Sequence, residues 1–305
     1  MKTTTMRRRT AKLTRVVTAI VAASVLTVTG ASAEPRSWSE IKRGGALRVC
    51  VAGTNPPDGI VTPEGCTGAC EFGGLVADMV NVFAAGSGLK TGYHVTTFDG
   101  FFQNADGVTE RDGTYTPKVF ADGTCDMIGS PLVSLPWRLK KMDMECFLPS
   151  RMVVVVHKDR AGEFNGLDDL AGKTVSVERS MSLHSWVEEQ NADLWNGDPV
   201  TVDFRPYDRS VPAVEAGTVD FTVVSILDAL WQTRNNAPNT VVAFAVGPLD
   251  EGCWGVPKGA DDFRAAIKAH FAQEQEDDAS ALNRSWVEAY GLTFAEFVRL
   301  VSTLR

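Results

Sequence analysis

Arg138 is a residue whose type could recognise an acid. It follows a buried-looking strand, Cys125-Asp126-Met127-Ile128-Gly129, and precedes an extended apolar run, Arg151-Met152-Val153-Val154-Val155-Val156. Between them, residues 130–150 carry Pro131 and Pro136, which argue against a regular helix. A guanidinium on a loop at a strand end can grip a carboxylate through two parallel N–H bonds. The competing reading is a surface arginine with no partner, the usual fate of a lone charge. A second anion-seeking feature is Ser180-Met181-Ser182, which heads a helix expected over 183–190. Ser182 suits an N-cap, and free N–H groups at a helix start attract anions; the same serine could also cap the helix with no ligand present. Asp228 has the opposite sign. It falls in the expected first turn of a helix, where the dipole favours an acid whether or not it meets a ligand.

The six cysteines are Cys50, Cys66, Cys70, Cys125, Cys146 and Cys253. An even count in an exported chain argues for disulfides, and the sequence alone does not choose their connectivity. Cys66-Thr67-Gly68-Ala69-Cys70 could close locally; its three intervening residues set it apart from the two of a thioredoxin-like motif. Buried free thiols are a second reading and zinc a third. His94, His157, His184 and His270 are scattered without the spacing that metal ligation requires. No nucleophile elbow, phosphate loop or nucleotide fingerprint is present, and no cofactor is expected.

Export rests on residues 1–33. Lys2, Arg7, Arg8, Arg9, Lys12 and Arg15 form a basic head, residues 16–28 form an apolar stretch too short to span a bilayer comfortably, and Ala31-Ser32-Ala33 is a small-residue cleavage site. Arg7-Arg8-Arg9 invites a twin-arginine reading, which Thr10-Ala11-Lys12 does not support, so general secretion is expected. The net charge of −8 over 305 residues understates the acidity. Six of the 30 basic residues and none of the 38 acidic ones lie in that segment, which leaves 24 against 38, a net of −14. Nucleic acid and anionic membrane surfaces are therefore poor partners. The 44% hydrophobic and 22% charged content is that of an ordinary globular protein.

The remaining chain alternates. Strands are expected over 46–52, 94–98, 123–128, 151–157, 200–207, 218–224 and 240–246. Helices are expected over 75–85, 116–122, 183–190, 211–217, 263–273 and 294–304. Breakers mark the loop Gly53-Thr54-Asn55-Pro56-Pro57-Asp58-Gly59, and a Gly- and Asp-rich loop runs over 99–116. The run over 218–224 is apolar almost throughout, as in a strand covered on both faces.

Taken in order, several segments resemble the amino-acid-type (family 3) periplasmic solute-binding proteins of ABC transporters. They are Asn55-Pro56-Pro57, Gly74-Leu75-Val76-Ala77-Asp78-Met79, Ser134-Leu135-Pro136-Trp137-Arg138 followed by Phe147-Leu148-Pro149-Ser150, Asp169-Leu170-Ala171-Gly172-Lys173, and Gly217-Thr218-Val219-Asp220. The resemblance covers about residues 44–290. It implies an α/β fold of two lobes, the type II or Venus-flytrap arrangement, with two hinge crossings. The first lobe would take residues 34–150, the second 151–245, and residues 246–305 would return to the first lobe and end in helices. The resemblance makes Arg138 the ligand-carboxylate anchor and adds Ser180, Met181, Ser182, Asn55, Ser130 and Ser134 to the binding set. It also exposes departures. Asp58 stands where a ligand-stacking aromatic is usual, the glycine expected before Met181-Ser182 is missing, and Ser225 occupies the place of the aspartate that meets a ligand ammonium. Asp228, three residues on, is the candidate substitute.

The implied function is capture of a small carboxylate-bearing ligand in the periplasm and its transient delivery to a membrane ABC permease, by a monomer that does not insert in the membrane. Two alternatives stay open. One is an enzyme of the cyclohexadienyl or prephenate dehydratase type on the same fold, with Glu71, Glu178 or Asp228 as general acid. The other is a binding subunit docked on a periplasmic dehydrogenase or sensor. The export reading predicts that N-terminal sequencing of the secreted protein begins at or within a few residues of Glu34; an intact N-terminus in the membrane fraction would refute it.

Overall fold

The computed structural model describes residues 34–303; the expected export segment, with its cleavage site near Ala33, lies outside them. Helix α1 (Trp38–Gly44) opens the chain, capped by Ser37 and Glu40 bonding reciprocally to each other's backbone N–H. Strand β1 (Ala46–Ala52) leads into a loop, β2 (Ile60–Thr62), β3 (Gly68–Ala69), β4 (Glu71–Gly73), α2 (Leu75–Gly86) and β5 (Lys90–Thr96). Then come α3 (Lys118–Ala121), β6 (Met127–Val133), the single turn α4 (Pro136–Leu139) and the long strand β7 (Asp143–His157). The middle of the chain is β8 (Thr174–Val177), α5 (Ser182–Ala192), β9 (Thr201–Phe204), α6 (Ser210–Glu215), β10 (Phe221–Ser225) and α7 (Ile226–Asn235). The chain returns through β11 (Thr240–Val256) and ends in α8 (Asp261–Glu276), α9 (Ala281–Tyr290) and α10 (Phe294–Thr303).

One nine-stranded sheet runs β3-β5-β1-β6-β11-β7-β10-β8-β9. The pairs β1–β5, β1–β6, β8–β9 and β8–β10 are parallel. At its centre β7 and β11 pair antiparallel from Thr240↔His157 to Val256↔Asp143, with register shifts on the way. The end of this ribbon near Gly252 also pairs with β6, and the end near Val153 also pairs with β10. The expected crossings at 150–151 and 245–246 thus fall inside two continuous strands.

β5 starts earlier than expected, β6 lies later and β11 runs on to Val256, and two further elements differ for visible reasons. β7 begins at Asp143, eight residues before the apolar run that signalled it. Pro149 obscured this start. It is tolerated because β10 pairs only with residues 152–156, so Pro149 lies outside that ladder. β10 begins later than expected, at Phe221, because the Asp220 carboxylate is held by Arg160 at 2.6 Å and by the Thr174 N–H at 2.7 Å.

The core has two faces. On one, Trp38, Phe83, Trp254, Phe263, Phe271 and Trp286 gather under α1, α2 and the C-terminal helices; Trp38 stacks on Phe263 at 4.6 Å and Phe147 on Phe271 at 3.6 Å. On the other, Phe101, Phe102, Phe120, Trp186, Trp195 and Phe221 are buried. Asp126 is a buried charge at the start of β6. Burial opposes its ionisation, but bonds from Arg48 and Arg36 prevail and hold it below the usual carboxylate range. No helix among the described residues is long and apolar enough to cross a membrane.

All six cysteines pair, as Cys50–Cys125, Cys66–Cys70 and Cys146–Cys253. The local pair is the one the sequence offered. The others close 75 and 107 residues of chain, and the last ties β7 to β11. In the chain-entropy account long loops gain most from closure, about 4–5 kcal/mol near 100 residues, and a four-residue loop much less. Replacing the Cys146–Cys253 pair by alanines is therefore expected to lower the urea midpoint far more than replacing Cys66–Cys70; equal midpoints would contradict the assignment.

Candidate functional site

A cavity of about 650 Å³ lies among the loop after β1, the β6–α4 junction, the β8–α5 junction and the start of α7. The loop after β1 is a tight hairpin in which Asn55 and Gly59 exchange both backbone bonds at 2.9 Å. It is fastened to α2, whose Leu75 and Val76 N–H groups donate to the Pro57 and Asp58 carbonyls at 3.0 and 2.9 Å. Gly74 makes that approach possible. Its φ is +95°, and a Cβ there would sit 2.7 Å from the Pro57 carbonyl oxygen. The hairpin presents Asn55 and Asp58 to the cavity.

Arg138 lies in α4 and not on an open loop, and it is 1% exposed. Pro136 sits at the helix start, where its missing N–H costs nothing. The guanidinium lies over the rings of Phe102 and Trp137, at 4.9 and 5.1 Å. Nη1 donates to the Val133 carbonyl at 2.9 Å and Nη2 to the Ser180 carbonyl at 2.5 Å, while Nε is buried with no partner. Burial, and after it the charge of Arg111, pulls the guanidinium down to about 9, which leaves it a cation at neutral pH. Among the described residues no carboxylate pairs with it. Its burial rules out the surface-arginine reading and means that removing it also disturbs packing.

The β8–α5 junction supplies the other side. Helix α5 is capped by Met181, without a side-chain cap bond, so Ser182 is its first residue and not its N-cap. Ser180 adopts φ +63°, the left-handed conformation that glycine takes without strain. Its Oγ donates to Asp99 Oδ1 at 2.5 Å, and its carbonyl accepts from Arg138. The loop over 99–116 is fixed by Lys141, whose Nζ donates to the Arg111, Gly113 and Trp137 carbonyls at 3.1, 2.9 and 3.2 Å. This places Arg111 to pair with Glu188 of α5.

Ser225 is the N-cap of α7: its hydroxyl accepts from the Asp228 N–H and donates to the Asp228 carboxylate. Asp228 is 4% exposed and also accepts from Asn55 Nδ2 at 2.7 Å and Tyr207 Oη at 2.6 Å. Asp58 Oδ1 accepts from Tyr290 Oη of α9 at 3.2 Å. Burial, then the charge of Asp228, holds Asp58 well above the usual carboxylate range. Burial and the Asp228 charge likewise raise Tyr207, and burial and the Asp58 charge raise Tyr290, so both phenols remain neutral donors.

Of the residues singled out in the sequence, Arg138, Met181, Ser182, Ser225, Asp228, Asn55 and Ser130 line the cavity. Ser130 Oγ also accepts from the Ala52 N–H at 2.8 Å, tying β6 to β1. Ser180 stands behind the lining and holds it through Arg138 and Asp99, while Ser134 is exposed and does not line it. Of the candidate acids, Glu178 lies in the cavity and accepts from the Tyr207 N–H at 2.9 Å, whereas Glu71 is exposed and outside it. Sequence reasoning did not place Tyr207 or Tyr290 in the site, and it treated Asp58 only as a departure from pattern.

Neither a family model nor a curated protein sequence matches the chain. Solved structures do. An amino acid ABC transporter substrate-binding protein from Streptococcus pneumoniae, bound to L-arginine, is 16% identical with a TM-score of 0.66, covering 83% of this chain and 98% of that one. A cysteine-binding protein from Campylobacter jejuni is 14% identical with a TM-score of 0.65, covering 82% and 91%. An ancestral amino acid-binding protein, described as a precursor of cyclohexadienyl dehydratase, is 17% identical with a TM-score of 0.66, covering 83% and 98%. These likenesses, together with the central β7–β11 ribbon, show that the chain has the two-lobed α/β fold of the periplasmic solute-binding proteins.

Proposed function

We propose that this chain is an exported solute-binding protein that captures a small carboxylate-bearing ligand, an amino acid or a related organic acid, and delivers it to an ABC transporter. It works as a monomer in the periplasm, with residues 34–150 and 246–305 forming one lobe, 151–245 the other, and β7 and β11 the crossings. The observation that carries this reading is Arg138. A buried guanidinium with an unpartnered Nε and no carboxylate beside it faces a cavity large enough for a small solute. A buried charge calls for a partner, and a ligand carboxylate supplies one with the geometry that arginine favours. Four links between the halves fit closure around such a ligand: Arg138 to Ser180, Asn55 to Asp228, Asp99 to Ser180, and Arg111 to Glu188. The names of the solved relatives, substrate-binding and amino acid-binding proteins, support capture over catalysis.

Mass spectrometry of the natively purified protein is expected to find a bound small carboxylate. With that ligand, Arg138→Ala should weaken binding by about two orders of magnitude or more, the scale for removing one partner of a buried charge pair. The truncation also frees two buried carbonyls, so some loss of stability is expected, of about 1–3 kcal/mol. Arg138→Lys, which keeps the charge and loses the fork, separates the two effects: it should fold and still bind poorly. Full affinity in a folded Arg138→Lys or Arg138→Ala protein would refute the anchor.

A further inference from the structure

We infer that Arg111 is a clasp that holds the cavity closed, and that His184 makes the clasp sensitive to protons, so that the molecule is closed at neutral pH and opens on mild acidification. The inference rests on the two-lobe capture reading above and adds a control to it. Arg111 comes from the loop over 99–116, in the first lobe of that reading, whereas His184 and Glu188 lie one turn apart on α5, in the second. Arg111 Nη1 pairs with Glu188, and Arg111 Nη2 lies 3.2 Å from His184 Nδ1. The clasp is fastened on its own side. Lys141, 0% exposed, holds the Arg111 and Gly113 carbonyls at 3.1 and 2.9 Å, and the Arg111 guanidinium lies 5.5 Å from the Trp137 ring.

The hydrogen bonds fix the state of the imidazole. The Ser180 N–H, at 3.4 Å, and the Arg111 guanidinium are both donors, so Nδ1 is the unprotonated acceptor. Nε2 lies 3.3 Å from Glu188 Oε1 and carries the hydrogen. His184 in the clasp is therefore the neutral Nε2–H tautomer. A proton arriving at Nδ1 takes the acceptor from both donors and sets an imidazolium against the guanidinium. It also pairs the ring with Glu188, the carboxylate that holds Arg111. The side chains of Arg111 and Glu188 are 32% and 48% exposed, so their ion pair alone is too weak to withstand that competition. The effect reaches the cavity through Ser180, whose N–H loses its acceptor, whose carbonyl accepts from Arg138 and whose hydroxyl donates to Asp99.

The charged groups around His184 are Glu188 on its own helix, Arg111 from the loop and Arg179 from the β8–α5 junction; Phe204 of β9 meets it edge-on at 4.9 Å. Burial holds the imidazole below its ordinary range. Glu188 acts against this, and Arg111 and Arg179 reinforce it. Opening withdraws Arg111 and admits water, while Glu188 and Arg179 stay beside the ring, so the open form takes up a proton more readily. The closed form is therefore fully favoured above the ordinary histidine range, near about pH 6.5, and loses ground as pH falls through it. For one proton the closed-to-open ratio drops by up to about tenfold per pH unit. The loss ends once the lower value of the closed form is passed.

The test is small-angle X-ray scattering of the natively purified protein between about pH 5 and pH 8, with NMR of isotopically labelled histidine rings over the same range. At the upper end His184 is expected to show the neutral Nε2–H ring and the protein its smaller radius of gyration. The radius should grow on acidification with the midpoint of His184 protonation. Arg111→Ala should show the larger radius already at the upper end, and His184→Gln, which cannot take the proton, should keep the smaller one at the lower end. A radius that does not follow the His184 titration, a compact Arg111→Ala protein, or a His184→Gln protein that opens as the unaltered one does would overturn the clasp. Stripping the bound small molecule by unfolding and refolding separates this from the underlying reading. A radius that grows on stripping but not on acidification leaves two-lobe capture standing without the clasp; one unchanged by stripping, pH and every substitution overturns both. Where a variant fails to fold, the coincidence of the two midpoints in the unaltered protein still decides.

Discussion

The pairing of β7 with β11 is the constraint on which everything else in this molecule depends. Each strand is long enough to belong to both halves of the sheet, so one ribbon of hydrogen bonds sets where the two halves stand. The sequence makes the ribbon robust in two ways. Val153, Val154, Val155 and Val156 are all buried between β10 and β11, and their β-branched side chains suit a strand covered on both faces. At the other end Cys146–Cys253 ties the same two strands covalently. The ladder is nevertheless irregular, with register shifts between Val242 and Phe244, between Val246 and Leu249, and between Gly252 and Cys253. The widest of these shifts, between Val246 and Leu249, lies beside Met152 and Asp250, which help to line the cavity.

Inside the cavity, polar groups are left with bonding capacity that the protein itself does not use. Burying a charge without a counter-charge is costly, and two such groups of opposite sign, Arg138 and Asp228, line the same cavity. Each is held by neutral groups: backbone carbonyls for the arginine, and hydroxyls and a carboxamide for the aspartate. Such partners satisfy geometry without neutralising charge. They fix each group in place and leave its charge without a counter-ion of the protein's own, unlike a structural ion pair. Asp126 shows the contrast. Two arginines neutralise it, and it serves only to fasten α1 and β1 to β6.

Much of the fold was legible because its signals are local. The alternation of strands and helices, the loop with two adjacent prolines, the Gly-Lys turn before β8 and the cysteine pair at 66 and 70 can each be read from a few neighbouring residues. What escaped was non-local. Nothing around Asp58 indicates that Tyr290, 232 residues away, reaches it, or that the charge of Asp228 acts on it. Arg138 was read as a ligand group from its type and place, but its burial comes from Phe102 and Trp137, and the first of these lies in a loop whose path is set by Lys141. Ser134 and Arg138 are close in sequence, yet Ser134 precedes α4 and is exposed while Arg138 within it is buried. Pairings of the distant cysteines were open for the same reason.

Ser180 shows how these distant contacts change the meaning of a local departure. A non-glycine residue at φ +63° costs of order 1–3 kcal/mol and persists only where its surroundings fix it. Here they do: the Ser180 carbonyl takes a bond from Arg138 and its hydroxyl gives one to Asp99. Glycine could adopt the same backbone more easily, but it has no hydroxyl and could not hold Asp99. The serine therefore exchanges conformational ease for a link between the β8–α5 junction and the loop over 99–116. That link helps to hold the Ser180 carbonyl where it accepts from Arg138. The departure from pattern at 180 and the one at 225 have a common character: each serine lends its hydroxyl to a neighbouring carboxylate, Asp99 in one case and Asp228 in the other, and in doing so positions the charge that faces the ligand space.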